Sequence, residues 1–285
     1  MANLTKLCIL KDGDFVTRTA GTMETFVAAI KETTTRRHGL ERFACWNDAA
    51  PTEVAQARIL AKSLSEQDYF DPVCSPANPL FTFLSRGQII PHVLQQAEFL
   101  GAEKVTVATL IPRHGLMTPD ELMAVTAAEL KAALRSALNR AGAAQAKGWL
   151  LAGLHGSFDL ATKLYQLHWH LVVAGGMIDV VDALRNQQQY RSSRDEPDGK
   201  VFQRVMIRRK PITDMARALT YIMQGFWPCR WVGTTEDGDL TRLSRRRRIP
   251  EPYHSRWLLW MHRQNLSNLM LPMHLEVEKG MLKVR

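Results

Sequence analysis

Two apolar, β-rich runs separated by only a few residues, 148–160 (GWLLAGLHGSFDL) and 165–174 (YQLHWHLVVA), constrain this chain more than any other feature. A connection that short joins antiparallel neighbours, so the pair predicts a hairpin. Successive strand side chains point to opposite faces. In the second run Leu167, Trp169, Leu171 and Val173 share one face and form a candidate core, while His168 and His170 share the other. In the first run His155, Ser157 and Asp159 have a common parity. A tight turn at Ala161-Thr162 sets His155 opposite His168, whereas a wider loop or a bulge brings Asp159 closer as a competing ligand.

The hairpin sits within a longer order of elements. Residues 104–112 (KVTVATLIP) read as a strand ending at proline. Thr118-Pro119-Asp120-Glu121 is a capping box with proline at the first helical position, opening one helix to about Ala141. After the hairpin come a helix over 177–189, a polar loop (SSRDEPDGK), a strand over 201–210, and a helix from Pro211 to about Gly225 capped by Thr213 or Asp214. This order predicts an α+β fold built on an antiparallel sheet of split βαββαβ type, with helices on one face and the histidine face left open.

Outside this core the signals are mixed. Helices are expected over 23–33, 51–65, 91–100 and 253–270, with a proline-rich loop (DPVCSPANP) before the third. The reading divides the chain into an accessory region (1–90), a core (91–226) and a basic C-terminal region (227–285).

Of the 285 residues, 37 are Lys or Arg and 28 are Asp or Glu, a net charge of +9, and 46% are apolar. Disorder and collagen-like repeats are excluded by that balance. The four cysteines, Cys8, Cys45, Cys74 and Cys229, lie far apart, against a disulfide framework or a thiolate zinc cluster. No apolar run is long enough for a membrane span and no secretory signal opens the chain, so a cytoplasmic location is expected. Within 201–250 eleven Lys or Arg face four acids, as expected of a polyanion contact or of a solvated basic face.

Two imidazoles two residues apart on a strand can converge on one divalent ion if a third ligand arrives from a neighbouring strand, and His155 is the candidate. The last core helix carries Tyr221, with Arg217 one turn before it and Gln224 one turn after. A tyrosine hydroxyl is a poor nucleophile near neutrality, with a pKa of about 10. A Lewis acid on a phosphodiester makes its in-line attack feasible. Tyr165 and Tyr190 are weaker candidates, one opening a strand and one preceding a loop. Arg208, Arg209, Lys210 and Arg217 then become candidate phosphate contacts.

The stretches TVATLIPRHG, HWHLVV preceded by LAGLHGSFD, and ALTYIMQG resemble, in order, the three motifs of HUH-type rolling-circle replication initiators, over roughly 104–226. The resemblance implies a DNA-nicking and joining enzyme. His155, His168 and His170 would hold Mg²⁺ or Mn²⁺, and Tyr221 would form a 5′-phosphotyrosine and release a 3′-hydroxyl. The DNA contacts would be Arg208, Arg209, Lys210, Arg217, Gln224 and the arginine run Arg245, Arg246, Arg247 and Arg248. Its partners would be single-stranded or origin DNA, with a host replication helicase beside them, and no membrane. The chain departs from the family at Gln224, where members commonly carry lysine, and at His155, where glutamate is frequent.

Three other readings compete. A transposase or relaxase would use the same chemistry, and a non-catalytic regulator would keep the fold and lose the nicking. A zinc-stabilised RNA-binding module would need aromatic residues on the open face.

Overall fold

The computed structural model describes residues 25–69, 71–99, 104–192, 203–210, 212, 214–234, 240–242, 247–278 and 281–284. The hairpin forms from β3 (Leu150–Asp159) and β4 (Leu164–Ala174), with His155 facing His168. The turn explains the register. The Asp159 carboxylate accepts the backbone N–H groups of Ala161 (3.0 Å) and Thr162 (3.3 Å), and Lys163 takes a positive φ of 56° to enter β4. Asp159 is thereby engaged in the turn rather than brought toward the histidines.

On the other edge of β4 lies β1 (Val105–Leu110), with Thr109 facing His170, and outside it β5 (Val205–Ile207). The order β5-β1-β4-β3 is antiparallel throughout. A short strand, β2 (Leu116–Met117), adds to β4. The free edge of β3 takes β10 (Met270–Met273) along one half, while β6 (Pro228–Arg230) runs parallel to its other end and carries β9 (Arg247–Arg248). The result is a mixed α+β fold on an eight-stranded, mostly antiparallel sheet. Two further ladders pair β7 (Val232–Thr234) with β8 (Leu240–Arg242), and β11 (Leu275–Glu278) with β12 (Met281–Val284).

One face of the sheet is the expected core. Leu134, Ala137 and Leu138 of α5 (Ala127–Arg140) and Met177 and Val181 of α6 (Met177–Ala183) bury Leu167, Trp169, Leu171 and Val173. Leu40 and Phe43 of α1 (Phe26–Phe43) and Leu60 and Leu64 of α2 (Pro51–Glu66) join the same cluster, alongside Trp257 and Trp260 of α8 (Tyr253–His262).

The opposite face is not open, which corrects the expectation of a sheet covered on one side. Ile90 and Val93 of α3 (Pro79–Phe99) and Leu219 and Ile222 of α7 (Met215–Ile222) pack on Leu151, Val172 and Ala174. The reason lies in the strands themselves. Only half of this face carries polar residues, and the apolar remainder, with Val105 and Val107, requires cover.

Several predicted bounds shift. The expected helix over 118–141 is two helices, α4 (Pro119–Ala124) and α5, because Thr126 and Glu129 build a second capping box after the first. The helix expected to begin at Pro91 instead begins at Pro79 and runs through Pro91, with Ile90 and Val93 buried on either side. The expected helix over 253–270 ends at His262 and yields to β10. Asp214 caps α7, its carboxylate accepting Arg217 N–H at 2.8 Å; Thr213, the other candidate, lies outside the described residues. Residues 193–200 of the polar loop, and 201 and 202 of the last expected strand, lie outside them too. Among the described residues no helix is long and apolar enough to cross a membrane.

A buried ion network ties α1 to the segment that follows α7. Arg36 is fully buried, donates to Glu32 (2.9 Å), to Ala77 O (2.9 Å) and to Gly225 O (2.6 Å), and lies 4.9 Å from the Trp257 ring. Glu32 also accepts from Arg248, and Arg248 approaches His254 at 3.3 Å. Burial alone would raise the Glu32 pKa; the charges of Arg36 and Arg248 and their hydrogen bonds outweigh it and hold the carboxyl at about 2. A depressed carboxylate pKa stabilises the fold above the unfolded value near 4.5 and loses that contribution as pH falls toward 2. Glu32→Gln, which leaves Arg36 buried beside a neutral partner, is expected to cost about 3 kcal/mol at pH 7. It should also flatten the loss of stability between pH 5 and 2, read by denaturant titration.

Candidate active site

The hairpin register, the placement of β1 and the C-terminal end of α7 bring three histidines and one tyrosine together. The His155 ring lies 4.7 Å from His170 and 6.1 Å from His168, centroid to centroid, and Tyr221 stacks on His155 at 5.7 Å and meets His170 edge-on at 4.7 Å. The other tyrosines weighed as nucleophiles are excluded by burial. Tyr165 sits on the core face with its hydroxyl on Tyr253 O, and Tyr190 is buried, and desolvation pushes both hydroxyls well above the ordinary range. Tyr221 is half-buried and borders two clefts.

The approach of α7 to the sheet depends on an absent side chain. A Cβ at Gly153 would lie 2.1 Å from Ile222 O. Two residues further on the same face, His155 donates from Nε2 to that carbonyl at 2.8 Å. Gly153 therefore admits the last turn of α7 and His155 holds it, which places the preceding residue, Tyr221, over the histidines. After α7 the chain passes through Gly225, whose carbonyl Arg36 holds, to Trp227, which packs where a Cβ on Gly156 would clash at 2.4 Å.

The ring nitrogens define the chemistry open to the cluster. Gln166 O can only accept, so at 3.1 Å His168 carries its proton on Nδ1 and turns a lone pair on Nε2 toward His170. The two Nε2 atoms are 3.1 Å apart, and His170 Nδ1 meets the Thr109 hydroxyl at 3.0 Å. When Thr109 donates, His170 carries its proton on Nε2 and gives it to His168, and the chain of hydrogen bonds closes without an ion. When Thr109 accepts, both Nε2 lone pairs face each other, a repulsion that a proton on either ring or a metal ion shared by the two relieves. Two nitrogens 3.1 Å apart, each about 2.1 Å from one ion, subtend an angle of about 95° there. His168 and His170 thus fit a divalent ion as neighbouring ligands.

His155, the expected third ligand, is in the cluster with its Nε2 turned to Ile222 O rather than toward the pair. Among the described residues no group of three His, Cys, Asp or Glu side chains is arranged to hold a metal. The His168–His170 pair would hold an ion whose remaining positions fall to water or substrate oxygens.

Two clefts flank this cluster. A smaller one, of about 240 Å³, is bordered by His155, His168, Ser157, Gln166, Phe226 and Arg230. A larger one, of about 760 Å³, is bordered by Arg208, Arg217, Asp214 and Val107. Thr109, His170, Tyr221 and Gln224 border both, so a chain-like ligand in one can continue into the other past the tyrosine.

The expected phosphate contacts separate into groups. Arg208 and Arg217 are exposed at the larger cleft and Gln224 lies between the two, whereas Arg209 and Lys210 are exposed without bordering either. Arg247 is exposed and lies 5.0 Å from the Trp231 ring. Arg248 is half-exposed and pairs with Glu32, so that its segment folds back onto α1 and joins the ion network. Arg245 and Arg246 lie outside the described residues. Sequence reasoning did not select Thr109, Gln166 or Arg230. Thr109 had a usable signal, since it shares a strand face with Val105 and Val107 and so points to the histidine side.

No family model, no curated protein and no solved structure matches this chain.

Gly153→Ala is expected to force Ile222 off the sheet, because backbone blocks the new methyl. The cost should be about 1–3 kcal/mol in denaturant unfolding. His155 should lose its acceptor at the same time, seen as a change in its ring-nitrogen resonances by NMR.

Proposed function

We propose that the chain is an HUH-type endonuclease that nicks and rejoins single-stranded DNA, with Tyr221 as nucleophile. The observation that carries this reading is the seating of Tyr221 against His155 and His170, beside two imidazole nitrogens that fit one divalent ion. The strand order β5-β1-β4-β3, antiparallel throughout, supports it, because a split βαββαβ connectivity produces that order.

In this reading the DNA backbone runs through the two clefts. Arg208 and Arg217 neutralise phosphates on one side of the tyrosine and Arg230 on the other. The Tyr221 oxygen attacks the scissile phosphorus, the tyrosyl O–P bond forms, and the P–O bond to the 3′ oxygen breaks. The departing 3′ oxygen takes up a proton and the phenol proton is lost to solvent or a neighbouring base. Mg²⁺ or Mn²⁺ on His168 and His170 would supply polarisation of the phosphodiester oxygens. His155 acts mainly by holding the helix end that carries the nucleophile.

Two observations favour a second reading, a DNA-binding protein of this fold that does not cut. His155 is engaged with Ile222 O, and the position three residues after the tyrosine is Gln224 rather than a cation.

Incubation of the full chain with random-sequence single-stranded DNA and Mn²⁺, followed by mass spectrometry, should yield an oligonucleotide linked to Tyr221. Tyr221→Phe should reduce the adduct by a factor on the order of 10⁴ or more while salt-sensitive binding persists. An adduct that survives in that variant would show that another residue attacks. Binding without any wild-type adduct would favour the second reading.

A further inference from the structure

The side of the molecule away from the histidine cleft carries a second concentration of positive charge. Helix α5 turns Leu134, Ala137 and Leu138 into the core, and its outer surface presents Lys131, Arg135, Asn139 and Arg140. Two shallow hollows, of about 650 and 680 Å³, lie along this surface and share Arg140. One is completed by Arg113 and His114, from the turn after β1, and by the three glutamines at 187–189.

Three features give the surface a chemical character. First, among the described residues no carboxylate borders either hollow. The one acid of α5, Glu129, is engaged with the Thr126 backbone N–H and hydroxyl in its capping box. Among the described residues Lys131, Arg135 and Arg140 make no ion pair.

Second, two of the three cations are held in place by hydrogen bonds. Arg140 donates to Ser136 Oγ at 2.7 Å and to Gln187 Oε1 at 3.3 Å, and Lys131 donates to Ser267 O at 2.6 Å. Partial burial and the neighbouring Arg135 charge both lower the Lys131 pKa. Like charges one turn apart on a helix repel, and an anion between them relieves the repulsion.

Third, among the described residues no aromatic side chain borders either hollow. Single strands are gripped largely by stacking bases on aromatic rings, and that element is missing here. What remains is a set of cations around the solvent side of one helix, Lys131 and Arg135 one turn apart and Arg140 half-way round the helix from Lys131 and roughly 13 Å further along the axis. That span is about four phosphate steps of one strand. Neutral amide donors flank these cations, as in backbone contacts to a duplex.

We propose that the outer face of α5, with Arg113 and the 187–189 turn, is a second and non-catalytic nucleic-acid site that takes the phosphate backbone of double-stranded DNA. The site requires no chemistry at Tyr221. A protein that grips a duplex there would present the opposite cleft to a strand separated from it.

The test measures binding of a random-sequence 20-base-pair duplex to the full chain by fluorescence anisotropy, in EDTA, across a salt series. The triple variant Lys131→Gln/Arg135→Gln/Arg140→Gln should lose affinity on the order of tenfold or more at 100 mM salt. Its log K against log salt slope should become shallower by about 3, at 0.9 per phosphate contact. Arg135→Lys/Arg140→Lys, which keeps the charge, should retain the wild-type slope, and this separates lost charge from a damaged fold. An unchanged slope in the triple variant would overturn the proposal, as would a wild-type chain that binds anionic vesicles and not the duplex. The same measurements on Tyr221→Phe keep this result independent of the cleavage reading.

Discussion

A single carbonyl joins the helix that bears the tyrosine to the sheet that bears the histidines. Ile222 O sits over the bare Cα of Gly153 and accepts from His155 Nε2, and both contacts come from one face of one strand. The rest of the site follows from that anchor. Tyr221 is the residue before Ile222, so its ring falls between His155 and His170; Gln224 and Phe226 come after it and border the smaller cleft. The chain beyond is then held by Arg36 on Gly225 O, which carries the constraint into the ion network of α1 and α8.

What the sequence made legible was local and periodic. The hairpin register could be read on the tight-turn alternative, from which a period of two assigns every side chain to a face, and the Asp159 turn then decided for it. That was sufficient to set His155 opposite His168 and to separate the histidines from Leu167, Trp169 and Leu171. The first capping box was equally legible, since Thr118 and Glu121 carry the whole signal in four residues.

What was not legible depended on contacts between distant segments. Pro91 read as a helix start because its local preference is for the first turn, and only burial of Ile90 and Val93 against the sheet reveals that it lies inside α3. Arg248 read as part of an expected DNA-contacting run, and its pairing with Glu32 was not legible because Glu32 lies more than two hundred residues earlier. His155 was correctly placed, yet its role as a docking residue for α7 depends on a backbone carbonyl, which no side-chain pattern announces.

Charge shows the same limit most clearly. Counting along the chain locates the basic surplus between 201 and 250, but a run in sequence is not a surface in space. Arg204 is buried, Arg248 neutralises Glu32, and Arg208 and Arg217 are the members of that run at the larger cleft. Meanwhile Lys131, Arg135 and Arg140 are diluted among alanines and leucines in sequence, and Arg113 lies outside their helix, yet folding gathers all four around two hollows that no carboxylate borders among the described residues. Electrostatic attraction acts through a few ångströms of space and is screened beyond roughly 10 Å. The density of like charge over that distance, rather than along the chain, therefore sets the local field, and the fold gathers positive charge at two places on opposite sides of one sheet.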